Sequence, residues 1–379
     1  MVLGRRLVPV GLRFPVSTPQ RSLVDKSCAP LVDHVILGFG ICGESMNDQL
    51  IVVTGGGGFI GGHLVAALRK QGCKKIRSID IKPIEEWYQH FDDVENLSLD
   101  LNVQPNCERA AEGAYEIWNL AANMGGMGFI ENNKALCMLS VLINTLMLQA
   151  AQKFGVSKFF YSSSACVYNG DKQRDPDCPG LKEEDAYPAL AEDGYGWEKL
   201  FSERMCRHFR EDFGLHTRVA RFHNVYGPHG TWDGGREKAP AAICRKVIQA
   251  KLSGTREIEI WGSGHQTRSF MYIDDCLNGM RMIMDSEIVD PINLGSAEMV
   301  SINQLVDIVE GIAGVKLIRK HKLDAPLGVN GRNSDNALIK KYLGWEPNIP
   351  LRTGLEQTYA WIYDEYVGRE RRASAGSPG

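Results

Sequence analysis

Two segments of the chain carry side chains that are suited to proton transfer. The first runs Ser162-Ser163-Ser164-Ala165-Cys166, and about thirty residues later comes Tyr195-Gly196-Trp197-Glu198-Lys199. Residues four apart share one face of a helix, so Tyr195 and Lys199 are expected to act together. A lysine ammonium beside a phenol lowers the pKa of the phenol and makes it a usable base near neutral pH. The pattern predicts a proton-transfer pair that shares its substrate hydroxyl with a serine of the first segment.

A Tyr-x-x-x-Lys pair is also common on surface helices, so its interpretation depends on a glycine-rich segment upstream. Gly55, Gly58 and Gly61 follow the apolar, β-branched run Leu50–Thr54, which is typical of a buried parallel strand, and a helical pattern comes next. Such a turn lets backbone N–H groups and the helix N-terminus approach a pyrophosphate without obstruction by a Cβ atom. The sequence therefore predicts a dinucleotide-binding site. Its expected contacts are Gly55, Gly58, Phe59, Ile60 and Gly61.

Four more strands are expected to alternate with helices after the first strand. They are assigned to Lys75–Ile79, Asn96–Asp100, Glu116–Leu120 and Lys158–Ser163. Strands separated by helical segments predict a doubly wound parallel sheet of the Rossmann type, an α/β fold. Asp80 ends the second strand, where it would accept hydrogen bonds from an adenosine ribose and favour NAD over NADP. Asp100 is expected near the adenine ring, and the small Ala121 and Ala122 would let the cofactor lie close.

The composition of the whole chain excludes several function classes. Of 379 residues, 44% are hydrophobic and 23% charged, which excludes a mainly disordered protein. A net charge of -3 provides no cationic field for nucleic acid, and the apolar runs are shorter than the roughly 20 residues that a membrane span needs. The ten cysteines include no C-x-x-C pair. We therefore expect no metal site, and reduced thiols in a cytoplasmic protein.

Four parts of the chain are distinguished by sequence. Residues 1–48 contain arginine and serine but few acids, and we interpret them as a disordered extension, although an organelle transit peptide has the same composition. Residues 49–223 are expected to form the NAD-binding Rossmann domain. Residues 224–366 are expected to form mainly a smaller C-terminal α/β substrate domain, with segments that return to the sheet. Residues 367–379 are charged and then rich in Ser, Gly and Pro, which predicts a disordered tail.

The glycine fingerprint, the strand-end serine and the Tyr-x-x-x-Lys pair together resemble the extended short-chain dehydrogenases/reductases that act on nucleotide sugars. The segment Leu343-Gly344-Trp345-Glu346-Pro347 is also typical of that superfamily. Further segments resemble one branch of it, the GDP-mannose 3,5-epimerases. These segments are Asn119–Phe129, Ser164–Tyr168, Gly234–Pro240, Gln266–Ser269 and Gly331–Ser334.

This resemblance implies an NAD-dependent isomerase that converts GDP-D-mannose to GDP-L-galactose, with GDP-L-gulose as a further product, towards ascorbate and cell-wall sugars. The C3 and C5 protons of a hexose are not acidic, but oxidation of C4 to a ketone acidifies both. By resemblance, Tyr195 takes the C4 hydroxyl proton, Lys199 holds down its pKa, and Ser164 binds the C4 oxygen. Cys166 and Lys238 would be the acid and base on opposite faces of the sugar ring.

The resemblance also implies the substrate contacts and the assembly. The expected contacts are Gly125, Ser164, Ala165, Cys166, Asn224, Glu237, Lys238, Lys246, Gln266, Arg268, Ser269 and Arg332. Arginine forks match phosphate oxygens, which suits a nucleotide diphosphate. A homodimer formed through paired helices of the cofactor domain is expected, without a nucleic acid or membrane partner.

Two alternatives stay open at this point. Another nucleotide-sugar enzyme of the same scaffold, such as a 4-epimerase or a 4,6-dehydratase, would need no second acid–base pair like Cys166 and Lys238. A non-catalytic NAD-binding regulator is the other alternative, but such proteins often lose the tyrosine or the lysine. Gly56 departs from the resemblance, because those enzymes usually carry an alanine there, and the helix around Cys137–Gln149 fits it only loosely.

Overall fold

A computed structural model describes residues 48–375 of the chain, with side chains to residue 373. Nearly all of the predicted N-terminal extension, and the last four residues of the predicted tail, lie outside the described residues. The strands are β1 Leu50–Thr54, β2 Ile76–Asp80, β3 Glu95–Ser98, β4 Ala114–Asn119, β5 Lys158–Ser164, β6 His216–Phe222, β7 Val225–Tyr226, β8 Glu257–Trp261, β9 Thr267–Ser269, β10 Met271–Tyr272, β11 Ile292–Leu294, β12 Met299–Ser301, β13 Ile318–Lys322 and β14 Gly331–Arg332. The α-helices are α1 Phe59–Lys70, α2 Gln104–Ala111, α3 Met127–Asn132, α4 Lys134–Met138, α5 Ser140–Lys153, α6 Tyr195–Phe213, α7 Ala239–Ser253, α8 Ile273–Asp285, α9 Ile302–Ala313, α10 Ala337–Leu343 and α11 Leu351–Ala375.

Seven of the described strands form one parallel sheet in the order β11-β6-β5-β4-β1-β2-β3. The order reverses between β1 and β4, and in such sheets ligands bind in the crevice at the carboxyl ends of the strands beside the reversal. The predicted doubly wound α/β fold is confirmed, and all five predicted strands are present within two residues of their predicted ends.

The sheet is covered on both faces because its strands are apolar on both sides. In β1, Ile51 and Val53 belong to one core cluster and Val52 to another, as the alternation of side chains along a strand requires. The first cluster continues into α1 and α8, and the second into α2 and α5. Burial on both faces fixes the register of the sheet and hence the position of every loop at its carboxyl edge.

The C-terminal part of the chain adds small sheets and helices beyond the main sheet. β9 lies between β12 and β14, while β8 pairs with β13. Ser301 is of a residue type that favours a helix N-cap, and it caps α9: the Ser301 hydroxyl accepts from the Gln304 amide, and the Gln304 side chain accepts from the Ser301 amide. This capping box satisfies two backbone donors that would otherwise have no partner.

The predicted disorder of residues 367–379 is wrong for residues 367–375, which continue α11. The Ser- and Gly-rich end suggested a frayed tail, but the helix before it packs into the core through the fully buried Ile362. Near its end, Arg369 pairs with Asp233 at 2.8 Å and lies 4.5 Å from the ring centre of Trp232. The end of α11 is therefore attached to the loop that precedes α7.

Residues 134–153 form one nearly continuous stretch of helix, in α4 and α5. The expectation that every apolar segment is too short for a bilayer is wrong here, because this stretch has 20 residues with a mean hydropathy of 1.5. However, α5 packs against α2 and α6, and Ile143, Met147 and Leu148 belong to the core beneath the sheet. That burial favours a helix of the protein core over a membrane span.

Candidate active site

The loop between β1 and α1 is shaped by close backbone approaches that only glycine permits. Gly55 has φ +72°, and a Cβ atom on Gly61 would lie 2.1 Å from the carbonyl oxygen of Gly55. The first turn of α1 is thereby drawn against the end of β1, and Gly58 N-caps the helix without a side-chain cap. These glycines leave backbone donors of the helix N-terminus facing the crevice, as a pyrophosphate site requires.

Gly56, where the sequence departs from the resemblance, has a physical partner in β2. A Cβ atom on Gly56 would lie 1.9 Å from the Oγ atom of Ser78, a residue that is 1% exposed. The absence of a side chain at position 56 and the serine at position 78 are therefore complementary in size.

We expect Gly56→Ala to destabilise this protein by about 1–3 kcal/mol, because the new methyl group overpacks a closed part of the core. It should also weaken dinucleotide binding, since the loop must shift. The double substitution Gly56→Ala with Ser78→Ala should recover most of both losses. Thermal unfolding and calorimetric titration with NAD measure this coupling in the unchanged protein, Gly56→Ala, Ser78→Ala and the double variant. Equal stability of Gly56→Ala and the double variant would contradict it.

Residues at the ends of β2, β3 and β4 lie around the same crevice. The Oδ2 atom of Asp80 would be 3.9 Å from a Cβ atom on Gly58. The Oδ1 atom of Asp80 accepts a hydrogen bond from the Lys82 amide at 3.1 Å. Lys82 also donates from its ammonium to the Gly57 carbonyl at 2.5 Å, which closes the loop over β2. Asp80 therefore stands beside the glycine loop, as predicted.

Asp100 and Ala121 each lie two residues after the end of a strand, Asp100 after β3 and Ala121 after β4. Asp100 Oδ1 accepts from the amide and the side chain of Asn102, at 2.9 and 2.8 Å, so its carboxylate is held by its own turn. The amide of Ala121 donates to the hydroxyl of Thr54 at 3.2 Å, which ties the segment after β4 to the end of β1. The contacts of Asp100 and of Ala121-Ala122 with a cofactor stay predictions.

Tyr195 and Lys199 begin α6 and are both buried. Gly196 lets this helix start directly over the segment after β5, because a Cβ atom there would lie 2.2 Å from the Cys166 carbonyl. The Lys199 ammonium lies 5.5 Å from the ring centre of Tyr195 and 4.7 Å from that of Tyr161. The helical spacing thus brings the pair to one face, as predicted.

The pKa of Tyr195 differs from the expectation. Burial raises it well above the usual value of a phenol, the charges of Cys166 and Glu198 raise it further, and a hydrogen bond with Ser164 opposes them. Lys199 does not reverse this balance, because the buried carboxylate of Glu198 lies 3.7 Å from its ammonium. The predicted lowering of the phenol pKa by Lys199 is therefore not seen in the protein alone.

The segment after β5 places a serine and a cysteine beside Tyr195. Ser164 caps a short 3₁₀-helix, Ala165–Val167, and its Oγ accepts from the Cys166 amide at 3.2 Å. The Cys166 thiol receives a hydrogen bond from the Arg332 guanidinium at 3.5 Å. Arg332 also donates to Gln173 at 2.6 Å and forms an ion pair with Glu192 at 2.5 Å. Arg332 is thus held against Cys166 from β14, far along the chain.

Lys238 is the N-cap residue of α7. The loop before it packs on the segment 125–129: the Gly126 amide donates to the Arg236 carbonyl at 2.9 Å, and the Arg236 guanidinium lies 3.9 Å from the ring centre of Phe129. Burial lowers the pKa of Lys238, and the charge of Cys166 acts in the opposite direction. Lys238 is thus near enough to Cys166 for the charge of one to influence the other, while their roles as acid and base stay predictions.

Several predicted substrate contacts surround the same site on β9 and its neighbours. Asn224 adopts a left-handed φ of 43° and donates to the Ser269 carbonyl at 3.0 Å. Among the described residues, the Ser269 hydroxyl and the Gln266 Oε1 atom are buried without a hydrogen-bond partner. Arg268 pairs in register with Arg332, and burial together with Arg332 lowers its pKa to about 10. These groups lack partners or carry concentrated positive charge, which suits a polar, anionic ligand.

Glu237 and Lys246 are predicted contacts whose side chains, like those of Asn224, Arg268 and Arg332, are engaged within the protein. The Glu237 carboxylate accepts from Arg245 at 2.9 Å and from the Gly235 amide at 2.7 Å. The Lys246 ammonium donates to the Glu259 carbonyl at 2.9 Å. Both residues line the region of Lys238, but either side chain would have to exchange these partners to bind a substrate.

Glu192, Gln173 and Glu198 are functional candidates that are not among the residues predicted from the sequence. Glu192 and Gln173 contact Arg332 from positions 140 and 159 residues away, so no local sequence pattern indicates these contacts. Glu198 stands inside the Tyr-x-x-x-Lys segment, and it accepts from Tyr161 and Ser202, each at 3.0 Å. Its place one residue before Lys199 is the only local signal.

The chain is similar to known proteins over most of its length. The sequence profile of the NAD dependent epimerase/dehydratase family matches residues 51–295. A GDP-mannose 3,5-epimerase of Arabidopsis thaliana is 45% identical over 325 residues, which cover 86% of this chain and 85% of that protein. The fold is similar to the crystal structure of UDP-glucose 4-epimerase with UDP-glucose from Thermotoga maritima, with a TM-score of 0.75 and 23% identity over 84% of this chain and 100% of that one. MoeE5 in complex with UDP-glucuronic acid and NAD has a TM-score of 0.70 and 26% identity, over 84% and 100% of the two chains.

Proposed function

The chain belongs to the NAD-dependent epimerase/dehydratase family, and we propose that it epimerises GDP-D-mannose at C3 and C5, giving GDP-L-galactose with GDP-L-gulose as a further product. The observation that carries the proposal is a second pair of titratable groups, Cys166 and Lys238, in the same site as Tyr195 and Lys199. Oxidation at C4 alone needs only Tyr195 and Lys199, so Cys166 and Lys238 are left for proton transfer at C3 and C5. The similarity to a plant GDP-mannose 3,5-epimerase at 45% identity supports the same substrate and the same positions of epimerisation.

The glycine loop fits NAD as the resident cofactor. A side chain at Gly61 would collide with the loop, and Asp80 stands where an adenosine ribose would be bound. When bound, NAD supplies reversible hydride exchange with C4 of the sugar. The chain's own contribution is to place Phe59, Ile60 and the N-terminus of α1 under the pyrophosphate and to keep Ala121 and Ala122 small beside the ring system.

Tyr195 is the group that takes the C4 hydroxyl proton. Ser164 is next to it and holds the C4 oxygen, because its hydroxyl already interacts with Tyr195. The Lys199 ammonium lies 5.5 Å from the centre of the tyrosine ring, and the Glu198 carboxylate lies 3.7 Å from that ammonium. Together these groups place the proton acceptor in hydrogen-bond reach of one sugar hydroxyl.

Cys166 and Lys238 act on C3 and C5 from opposite sides of the ring. A C4 ketone acidifies both neighbouring C–H bonds, so one group removes a proton and the other returns a proton to the opposite face. Arg268, Arg332, Lys246 and the segment at Gly125 would bind the nucleotide diphosphate. The orphaned Ser269 hydroxyl and Gln266 carbonyl oxygen are further groups that a polar substrate would satisfy.

Proton NMR of GDP-mannose incubated with the purified protein in deuterated buffer tests this function. Deuterium at C3 and C5, with galacto- and gulo-configured products, is the expected result. A 4-keto-6-deoxy product would instead identify a dehydratase, and inversion at C4 alone would identify a 4-epimerase. No reaction with NAD supplied and other nucleotide sugars tried would favour a non-catalytic NAD-binding protein.

The proposed assembly is a homodimer through α5 and α6. These helices pack on each other and carry exposed apolar side chains, Leu142, Trp197 and Phe201 among them. Solvent-exposed apolar side chains on adjacent helices indicate a covered surface. We expect Phe201→Arg to give a monomer by sedimentation velocity. The matched control Ile318→Arg replaces an equally exposed apolar residue on β13, and a dimer in both variants would contradict the proposed interface.

The proposed location is the cytoplasm. Seven buried cysteines of the described residues are free, and free thiols persist in reducing compartments; they are Cys107, Cys137, Cys166, Cys178, Cys206, Cys244 and Cys276. Subcellular fractionation with an antibody against the protein tests the location, and recovery in an organelle would contradict it.

A further inference from the structure

Glu192 is a mostly buried carboxylate, with a side chain that is 13% exposed, and the proposed mechanism does not use it. It lies between the 3₁₀-helices after β5 and the start of α6, where its amide donates to the Cys166 carbonyl at 3.0 Å. Its Oε1 atom pairs with Arg332 at 2.5 Å. Its Oε2 atom is buried without a hydrogen-bond partner among the described residues, so half of this carboxylate is available to a neighbouring group.

The neighbouring group is the thiol of Cys166. Several charged or titratable groups face this sulfur: Glu192 before α6, Tyr195 on α6, Lys238 at α7, Arg268 on β9 and Arg332 on β14. Arg332 donates to the sulfur directly, whereas Glu192 reaches it both by its own charge and by fixing Arg332. The Nε atom of the same guanidinium donates a hydrogen bond to Gln173.

We propose that Glu192 is a positioning residue for Cys166, whose carboxylate holds Arg332 against the sulfur and keeps the thiol protonated in the resting enzyme. This inference rests on the proposed function, because it concerns the proton that Cys166 exchanges with the sugar. With the thiol protonated, Cys166 enters the reaction as the donor of the first proton. Lys238 first removes the C–H proton from one face of the ring, and Cys166 then returns a proton to the same carbon from the other face.

The electrostatics of the site agree with this order of events. Burial raises the pKa of Cys166 to about 11, the Glu192 charge adds to the rise, and Arg332 opposes it. The thiol is therefore protonated near neutral pH. Burial lowers the pKa of Lys238, which favours the neutral amine that a proton acceptor must be. Without the Glu192 charge, the guanidinium beside the sulfur would no longer be balanced and would stabilise the thiolate.

The test is the pH dependence of Cys166 alkylation by iodoacetamide in the purified protein with NAD, followed by mass spectrometry of the Cys166 peptide. Only the thiolate reacts, so the rate reports its population. Glu192→Gln keeps the shape and the hydrogen bond to Arg332 but removes the charge. We expect its reaction midpoint to move to lower pH, with alkylation about tenfold faster at neutral pH, which is one pKa unit.

The second variant removes the positive charge beside the Cys166 sulfur. Arg332→Gln removes the cation and should move the midpoint to higher pH, whereas a loss of packing would not give shifts of opposite sign. Glu184→Gln, which removes an exposed carboxylate on a neighbouring 3₁₀-helix, is the matched control and should leave the midpoint in place. A midpoint that stays fixed in Glu192→Gln, or that moves in the same direction in both variants, would overturn the proposal.

This measurement separates the inference from the proposed function. Alkylation reads the thiol directly and needs no GDP-mannose. Opposite shifts in a protein that does not epimerise GDP-mannose would support the role of Glu192 and remove the proposed substrate. Normal epimerisation of GDP-mannose with no shift of the alkylation midpoint in either variant would support the proposed function and overturn the role of Glu192.

Discussion

Replacement of Cys166 by alanine is expected to abolish deuterium exchange at C3 and C5 while the bound cofactor and the oxidation at C4 are retained. The thiol contributes only to proton transfer, because the groups that act at C4 are Tyr195, Lys199 and Ser164. Loss of one positioned acid or base slows a reaction by about 10²- to 10⁴-fold. The readouts are deuterium at C3 and C5 by proton NMR, and the ultraviolet absorbance of reduced nicotinamide, which should now accumulate.

A second buried cysteine provides the control for this substitution. The sulfur of Cys178 lies near Gly331, next to Arg332, but it makes no contact with Cys166 or Tyr195 that would give it a role in proton transfer. Cys178→Ala should therefore keep exchange at both carbons. Undiminished exchange in Cys166→Ala would show that another group moves these protons.

Replacement of Tyr195 by phenylalanine is the second large effect that we expect. Without the phenol, the C4 hydroxyl proton has no acceptor, so the ketone on which both epimerisations depend does not form. Exchange at C3 and C5 should fall by about 10²- to 10⁴-fold. In contrast to Cys166→Ala, no reduced nicotinamide should accumulate. The two variants thus lose the same product at different steps.

The affinity for GDP-mannose supplies the check on Tyr195→Phe. Phenylalanine fills the same buried space, so calorimetric affinity for the substrate should change little. Tyr187→Phe removes a hydroxyl from an exposed tyrosine nearby and should leave both activity and affinity unchanged. Retained oxidation at C4 in Tyr195→Phe would contradict the assignment.

The parts of the fold that the sequence predicts correctly are those that depend on short-range patterns. The β-branched run of β1, the glycine spacing and the Ser301 cap are each complete within a few residues. Their structures follow from the local backbone and from burial on both faces of the sheet. The pairing of Tyr195 with Lys199 is of the same kind, because four residues along a helix is a local distance.

The rest of the site depends on contacts that no local pattern contains. Arg332 reaches Cys166 across 166 residues of sequence, and Glu192 reaches Arg332 across 140. The pKa of Tyr195 is governed by burial and by Glu198, and these are properties of the folded site and not of the Tyr-x-x-x-Lys spacing. The tail prediction failed for a related reason, because composition describes the last residues but not the core that α11 packs against.

The attachment of α11 to the loop before α7 has a consequence for the synthesis of the protein. Asp233 lies five residues before Lys238, and its partner Arg369 lies in α11, which follows every other described helix and strand along the chain. Nascent domains fold from the N-terminal side while the chain is still growing. The glycine loop, β1 and β2 are thus complete long before Arg369 leaves the ribosome. The contact that anchors the loop before Lys238 therefore forms only after α11 has emerged, later than any contact within the glycine loop.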